Sequence, residues 1–123
     1  MKQANIALAY KRLTEINKTV GLPYATCKKL FSAKLALRPH IECQAERERV
    51  LLAASADENG NTDYNNPTVR KGLAEIMNTE VEWTAEPIKI QLTRYEMDQI
   101  NFTAEMMDDL AGFVDFEEVK TDD

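Results

Sequence analysis

His40 is the single histidine of a 123-residue chain. To act as a general base it would need an orienting partner and a cleft, and to hold a metal it would need further ligands at suitable spacing. Neither set is visible around it, and beside Pro39 it reads as a partly exposed helix residue. Cys27 has the nearby charge of Lys28 and Lys29, but a cysteine on an apolar helix stripe is usually inert. If Cys27 and Cys43 lie on one long helix, sixteen residues hold them about 24 Å apart, too far for a disulfide. Two free thiols are expected.

Residues 57–66 read Asp-Glu-Asn-Gly-Asn-Thr-Asp-Tyr-Asn-Asn, which invites comparison with a calcium loop. With Gly60 at the sixth place of a twelve-residue EF-hand loop, Ser55, Asp57, Asn59, Asn61, Asp63 and Asn66 fall on the ligand places. The first place then lacks its acid and the last lacks the bidentate glutamate that supplies much of the charge. A polar surface loop is the reading that remains. The four glycines are dispersed, so no glycine-rich phosphate loop is present either. No catalytic residue, metal site or cofactor is expected, and the chain reads as a non-enzyme.

The net charge is -6, and its distribution is uneven: residues 1–40 carry eight Lys/Arg against Glu15 alone, whereas residues 41–123 carry seven against twenty acids. Lys11, Arg12 and Lys18 on a first helix, with Lys28, Lys29, Lys34 and Arg38 on a second, could track a phosphate backbone. Neither a nucleic-acid motif nor aromatic stacking positions accompany them. Mutual attraction of the two halves, within one chain or between copies, is the competing account.

Hydrophobic residues make up 44% and charged residues 29%, ordinary globular usage that excludes a disordered or disulfide-built chain. The length suits one domain spanning 1–123. No apolar run approaches membrane-spanning length and no signal-peptide core follows Met1, so no membrane association is expected and a reducing, cytoplasmic setting is.

The elements that would position these residues follow from periodicity. Ile6, Ala9, Tyr10, Leu13, Ile16 and Val20 predict a helix over 3–19, ended by Gly21. Pro23 opens a second helix, in which Cys27, Leu30, Phe31, Leu35, Ile41, Ala45 and Leu52 keep helical spacing past Arg38-Pro39, where a kink or break is expected. The short connection folds the two into an antiparallel hairpin, and the surplus length of the second must find another partner. Asn66-Pro67 caps a third helix ending near Asn78. Val81 and Trp83, then Ile88, Ile90 and Leu92, alternate with polar residues and predict two half-buried strands, as a hairpin or as a sheet extended across a subunit boundary. Val81, Trp83, Ile88 and Ile90 are therefore interface candidates. Thr103 caps a final helix, and 115–123 is read as an acidic, frayed tail. The fold class is α+β and mainly helical: a helix hairpin with a kinked long arm, a short two-stranded element and two short helices.

Taken in order, Leu22-Pro23, Leu37-Arg38-Pro39, Glu46-Arg47-Glu48-Arg49, Asp57-Glu58-Asn59-Gly60, Glu80-Val81-Glu82, Pro87-Ile88-Lys89-Ile90 and Phe102-Thr103-Ala104 resemble a group of small proteins encoded by tailed bacteriophages and prophages. Cys43-Gln44-Ala45 departs from the group, which has a more acidic, aromatic stretch there. The resemblance implies expression in a bacterial host and carries no activity with it. The expected role is a non-enzymatic, protein-binding accessory factor that modifies or inhibits a host component or assists particle assembly, with homo-oligomerisation. The alternatives are a nucleic-acid-binding module using the basic helices and a small-molecule binder or enzyme.

Overall fold

The computed structural model describes residues 1–119, and within them the chain is mainly helical α+β. Helix α1 (Gln3–Ile16) buries Ile6, Ala9, Leu13 and Ile16, the stripe that the spacing sets on one side. It stops three residues before the expected end, because the amides of Lys18 and Thr19 bond back to the carbonyls of Glu15 and Ile16 and tighten the last turn. Val20, expected on the buried stripe, is consequently among the most exposed apolar residues. Gly21, at φ +93°, reverses the chain.

Helix α2 (Tyr24–Ala54) is one helix through Pro39 rather than two. Pro39 is exposed, so its ring and the carbonyl it leaves without an amide partner disturb the outside of the helix rather than the core. Pro23 precedes the first turn as its N-cap residue. The hairpin is antiparallel: Gln3, at the start of α1, donates through Nε2 to the His40 carbonyl at 3.1 Å and to Gln44 Oε1 at 2.9 Å, while Tyr10 further along lies under Lys34 Nζ, 5.1 Å from its ring centroid. The buried stripe of α2 is Thr26, Leu30, Ala33 and Leu37. Phe31 and Leu35, assigned to that stripe by spacing alone, are exposed on the other side.

The loop at 57–66 folds on its own acids. Asp57 Oδ1 accepts from the amides of Asn59 and Asn61, and Asp63 Oδ1 from that of Asn65. Helix α3 (Pro67–Asn78) starts as expected, with Asn66 Oδ1 accepting from the Thr68 amide. It packs on α2 where Gly72 meets Leu51: a Cβ built on Gly72 would lie 2.7 Å from Leu51 Cδ2.

The β element differs from a hairpin in both partner and direction. Residues 79–81 secure the N-terminus instead of forming a strand: the Thr79 carbonyl accepts from the Gln3 amide, and the Val81 amide donates to the Met1 carbonyl. Trp83 then packs edge-on between His40 and Phe113, at centroid distances of 5.6 and 5.2 Å. Strand β1 (Ile88–Thr93) pairs in parallel with β2 (Val114–Val119), from Ile88 opposite Val114 to Thr93 opposite Val119. A parallel pair needs a crossover, supplied by α4 (Arg94–Ile100) and α5 (Ala104–Leu110). Thr93 and Glu96 form a reciprocal capping box at the start of α4, and Thr103 caps α5. The segment read as a frayed tail is thus β2 as far as Val119, while 120–123 lie outside the described residues.

One core joins these parts: Ile6, Ala9, Leu13, Leu30 and Leu37 of the hairpin meet Ile90 and Leu92 of β1, with Leu110, Phe113 and Val114 closing the end. Leu37→Ala should cost about 2–5 kcal/mol in urea denaturation, as buried leucine truncations do. Gly72→Val should shift the Leu51 methyls aside and change stability by less than about 1 kcal/mol, because half-buried Leu51 can turn toward the open groove and the loss of a mid-helix glycine favours α3.

Candidate functional site

The residues that could carry chemistry are dispersed. His40 is half-buried and engaged with Trp83, and its backbone carbonyl serves Gln3. Cys27 is half-buried, with its thiol 3.8 Å from the Leu22 carbonyl, whereas Cys43 is exposed further along α2. Both cysteines are free and sit on one helix, as the spacing predicts. Among the described residues, no group of three His, Cys, Asp or Glu side chains converges on a possible metal position.

Of the seven basic residues singled out in the sequence, Arg12 is paired and six are not. Arg12 reaches Asp109 with Nε at 2.8 Å, Glu105 with Nη2 at 3.4 Å and Glu15 with Nη1 at 3.3 Å. The hydrogen bond to Asp109 does most to hold the guanidinium in its charged form, raising its pKa further. This cluster joins α1 to α5 across the sequence and satisfies part of the attraction expected between the basic and acidic halves. Among the described residues, Lys11, Lys18, Lys28, Lys29, Lys34 and Arg38 make no ion pair. Nor do they form one strip. At about 100° per residue, Lys28, Lys29, Lys34 and Arg38 spread over roughly 220° of the circumference of α2, and Lys34 is drawn toward Tyr10 of α1.

The four interface candidates are taken up within the chain. Ile90 is fully buried, and Val81, Trp83 and Ile88 are half-buried against the same core. Their apolar surface covers the helices, which is the intramolecular alternative to extending a sheet between subunits.

What remains open is the outer face of α2. Tyr24, Phe31 and Leu35 are 81%, 47% and 40% exposed, and helical geometry places them within about 40° of one another, opposite Thr26, Leu30, Ala33 and Leu37. Pro39 and Val50, both exposed, border this face on one side. A helix apolar on both sides calls for cover on both. Beside Val50 a wide groove of about 440 Å³ runs between α2 and α3, lined by Glu46, Arg47, Leu51, Gly72, Glu75 and Ile76. Two of its charged groups are engaged: Arg49 bonds Glu46 and holds that carboxyl below its usual range, and Arg47 donates to Thr79 Oγ1 at 2.9 Å. The face and groove offer apolar contact with charged margins. The sequence carries a signal for them, since Tyr24, Phe31 and Leu35 follow seven- and four-residue steps, although spacing alone assigns Phe31 and Leu35 to the core stripe.

Compared with protein-family models, with curated proteins and with solved structures, the chain finds no match in any of the three.

Arg12→Ala should lower Tm in circular-dichroism melts, by less at high salt than at low salt, because Asp109 loses its cation. Lys11→Ala, which breaks no ion pair, should leave Tm unchanged.

Proposed function

We propose that this chain is a non-enzymatic, protein-binding accessory factor encoded by a bacteriophage and working in the cytoplasm of the infected cell, where it modifies or inhibits a host component or assists particle assembly. The phage setting rests on the resemblance of the ordered short motifs from Leu22-Pro23 to Phe102-Thr103-Ala104. The single observation that supports protein binding is the exposed apolar face of α2. Tyr24, Phe31 and Leu35 stand in water on the longest helix, in a chain that otherwise buries its helix stripes well. Aromatic residues on an open face are the usual anchors of protein interfaces. The nucleic-acid alternative loses ground because the lysines of α2 point to several sides rather than along one groove-tracking strip.

Affinity capture with the tagged chain, at physiological salt and from a bacterial lysate that also contains an untagged copy, tests the reading. The unmodified chain should retain a discrete protein that the double variant Phe31→Asp, Leu35→Asp does not retain, with the far-UV spectra of the two unchanged. Equal retention by both, or none by either, would overturn it. Salt-sensitive binding of duplex or single-stranded DNA that disappears on Lys28→Gln, Lys29→Gln, Lys34→Gln substitution would favour the nucleic-acid alternative.

A further inference from the structure

The face of α2 also carries information about what covers it. Tyr24, Lys28, Phe31, Leu35, Glu42 and Glu46 are all exposed and fall within an arc of about 60° at 100° per residue. Their steps of four, three, four, seven and four residues keep them on one seam, as in helices that pack along their length. The apolar members lie toward the start, and the acids toward the end. Lys28 and Glu42 flank the apolar centre at equal distances, each seven residues from Leu35. Among the described residues neither makes an ion pair within the chain.

We propose that the outer face of α2 is covered by α2 of a second copy of this chain, antiparallel and centred on Leu35. The inference deepens the protein-binding reading above and rests on it. A two-fold axis at Leu35 makes the contact isologous, so every complementary pair occurs twice. Leu35 meets Leu35 of the second copy and Lys28 meets Glu42 of the second copy, while Phe31 comes to the level of Pro39 of the second copy, beside the seam. Tyr24 comes to the level of Glu46 of the second copy, where the groove between α2 and α3 opens.

Three other registers on the same face are worse. A parallel pair sets Lys28 against Lys28 and Glu42 against Glu42. An antiparallel pair centred on Phe31 brings Lys28 to the level of Lys34 and leaves Glu42 at the level of Val20, so neither charge on the seam finds its opposite. Centring between Arg38 and Pro39 places Leu35 against Glu42, Phe31 against Glu46 and Lys28 against Arg49. Each brings like charges together or presses carboxylates onto apolar side chains, which costs binding. Of these, only the register at Leu35 joins apolar to apolar at the centre and opposite charges at both flanks. It also uses charge that the Arg12 cluster leaves unpaired inside one chain.

Sedimentation equilibrium of the full chain over a wide concentration range tests the proposal. The expected result is a reversible equilibrium between the 14.0 kDa chain and its dimer. Leu35→Asp should abolish the dimer, with the far-UV spectrum unchanged. Lys28→Glu and Glu42→Lys should each weaken dimerisation by about tenfold or more, while the two together should restore it to within about threefold, as coupled charge pairs do. A monomer at every concentration, a dimer indifferent to Leu35→Asp, or a double variant no better than the single ones would overturn the proposal. If the chain is monomeric and lysate capture still depends on Phe31 and Leu35, self-pairing fails while the protein-binding reading stands. If capture fails as well, both fall.

Discussion

A helix of 31 residues is about 46 Å long, and in this chain it is apolar on more than one side. That constraint organises the molecule. Helix α1, with 14 residues, can run along about 21 Å of it, and β1 closes on the same side through Ile90 and Leu92. Helix α3 covers part of the far end by letting Gly72 approach Leu51. None of these elements reaches the strip from Tyr24 to Leu35. Exposed single apolar residues need no explanation, but three on one narrow arc of a regular helix form a surface with a direction and a length. The protein-binding proposal takes its support from that geometry.

The charge asymmetry of the sequence has a more limited structural role than its size suggests. One cation, Arg12, draws Asp109 and Glu105 of α5 onto α1 and so docks the crossover that returns the chain to β2. The lysines of α2 take no part. They surround the open face on several sides and leave it with basic margins near Tyr24 and Phe31, while Glu42 and Glu46 mark the other end. A helix with opposite charges toward its two ends is suited to an antiparallel neighbour of the same kind. Its spread of lysines is poorly suited to following a phosphate backbone.

Much of the helical frame could be read from the residues. The cap at Asn66-Pro67, the chain reversal at Gly21 and the cap at Thr103 are local chemistry, and they fall where the turn residues demand. What the reading missed has equally local causes. Thr93-Arg94-Tyr95-Glu96 is a capping-box pattern, but it was overlooked behind the strand before it. Val114 and Phe116 alternate with Asp115 and Glu117, yet the acids made the segment look like a tail. The pairing of β1 with β2 was not accessible from adjacency, because parallel strands meet only after a crossover. On α2, two stripes about half a turn apart share helical spacing, so spacing alone assigns Phe31 and Leu35 to the core and only burial separates the open face from it. The pattern also gave no warning of Gln3, a buried polar residue whose amide joins α1 to His40 and Gln44.

The most direct measurement of whether α2 presents a contact surface is photocrosslinking in living bacteria, with a photoreactive phenylalanine analogue in place of Phe31 and, in a separate strain, in place of Lys11. The account predicts a discrete protein adduct from position 31 and none from position 11, which points to solvent from α1. The absence of an adduct at position 31, or equal labelling at both positions, would contradict it.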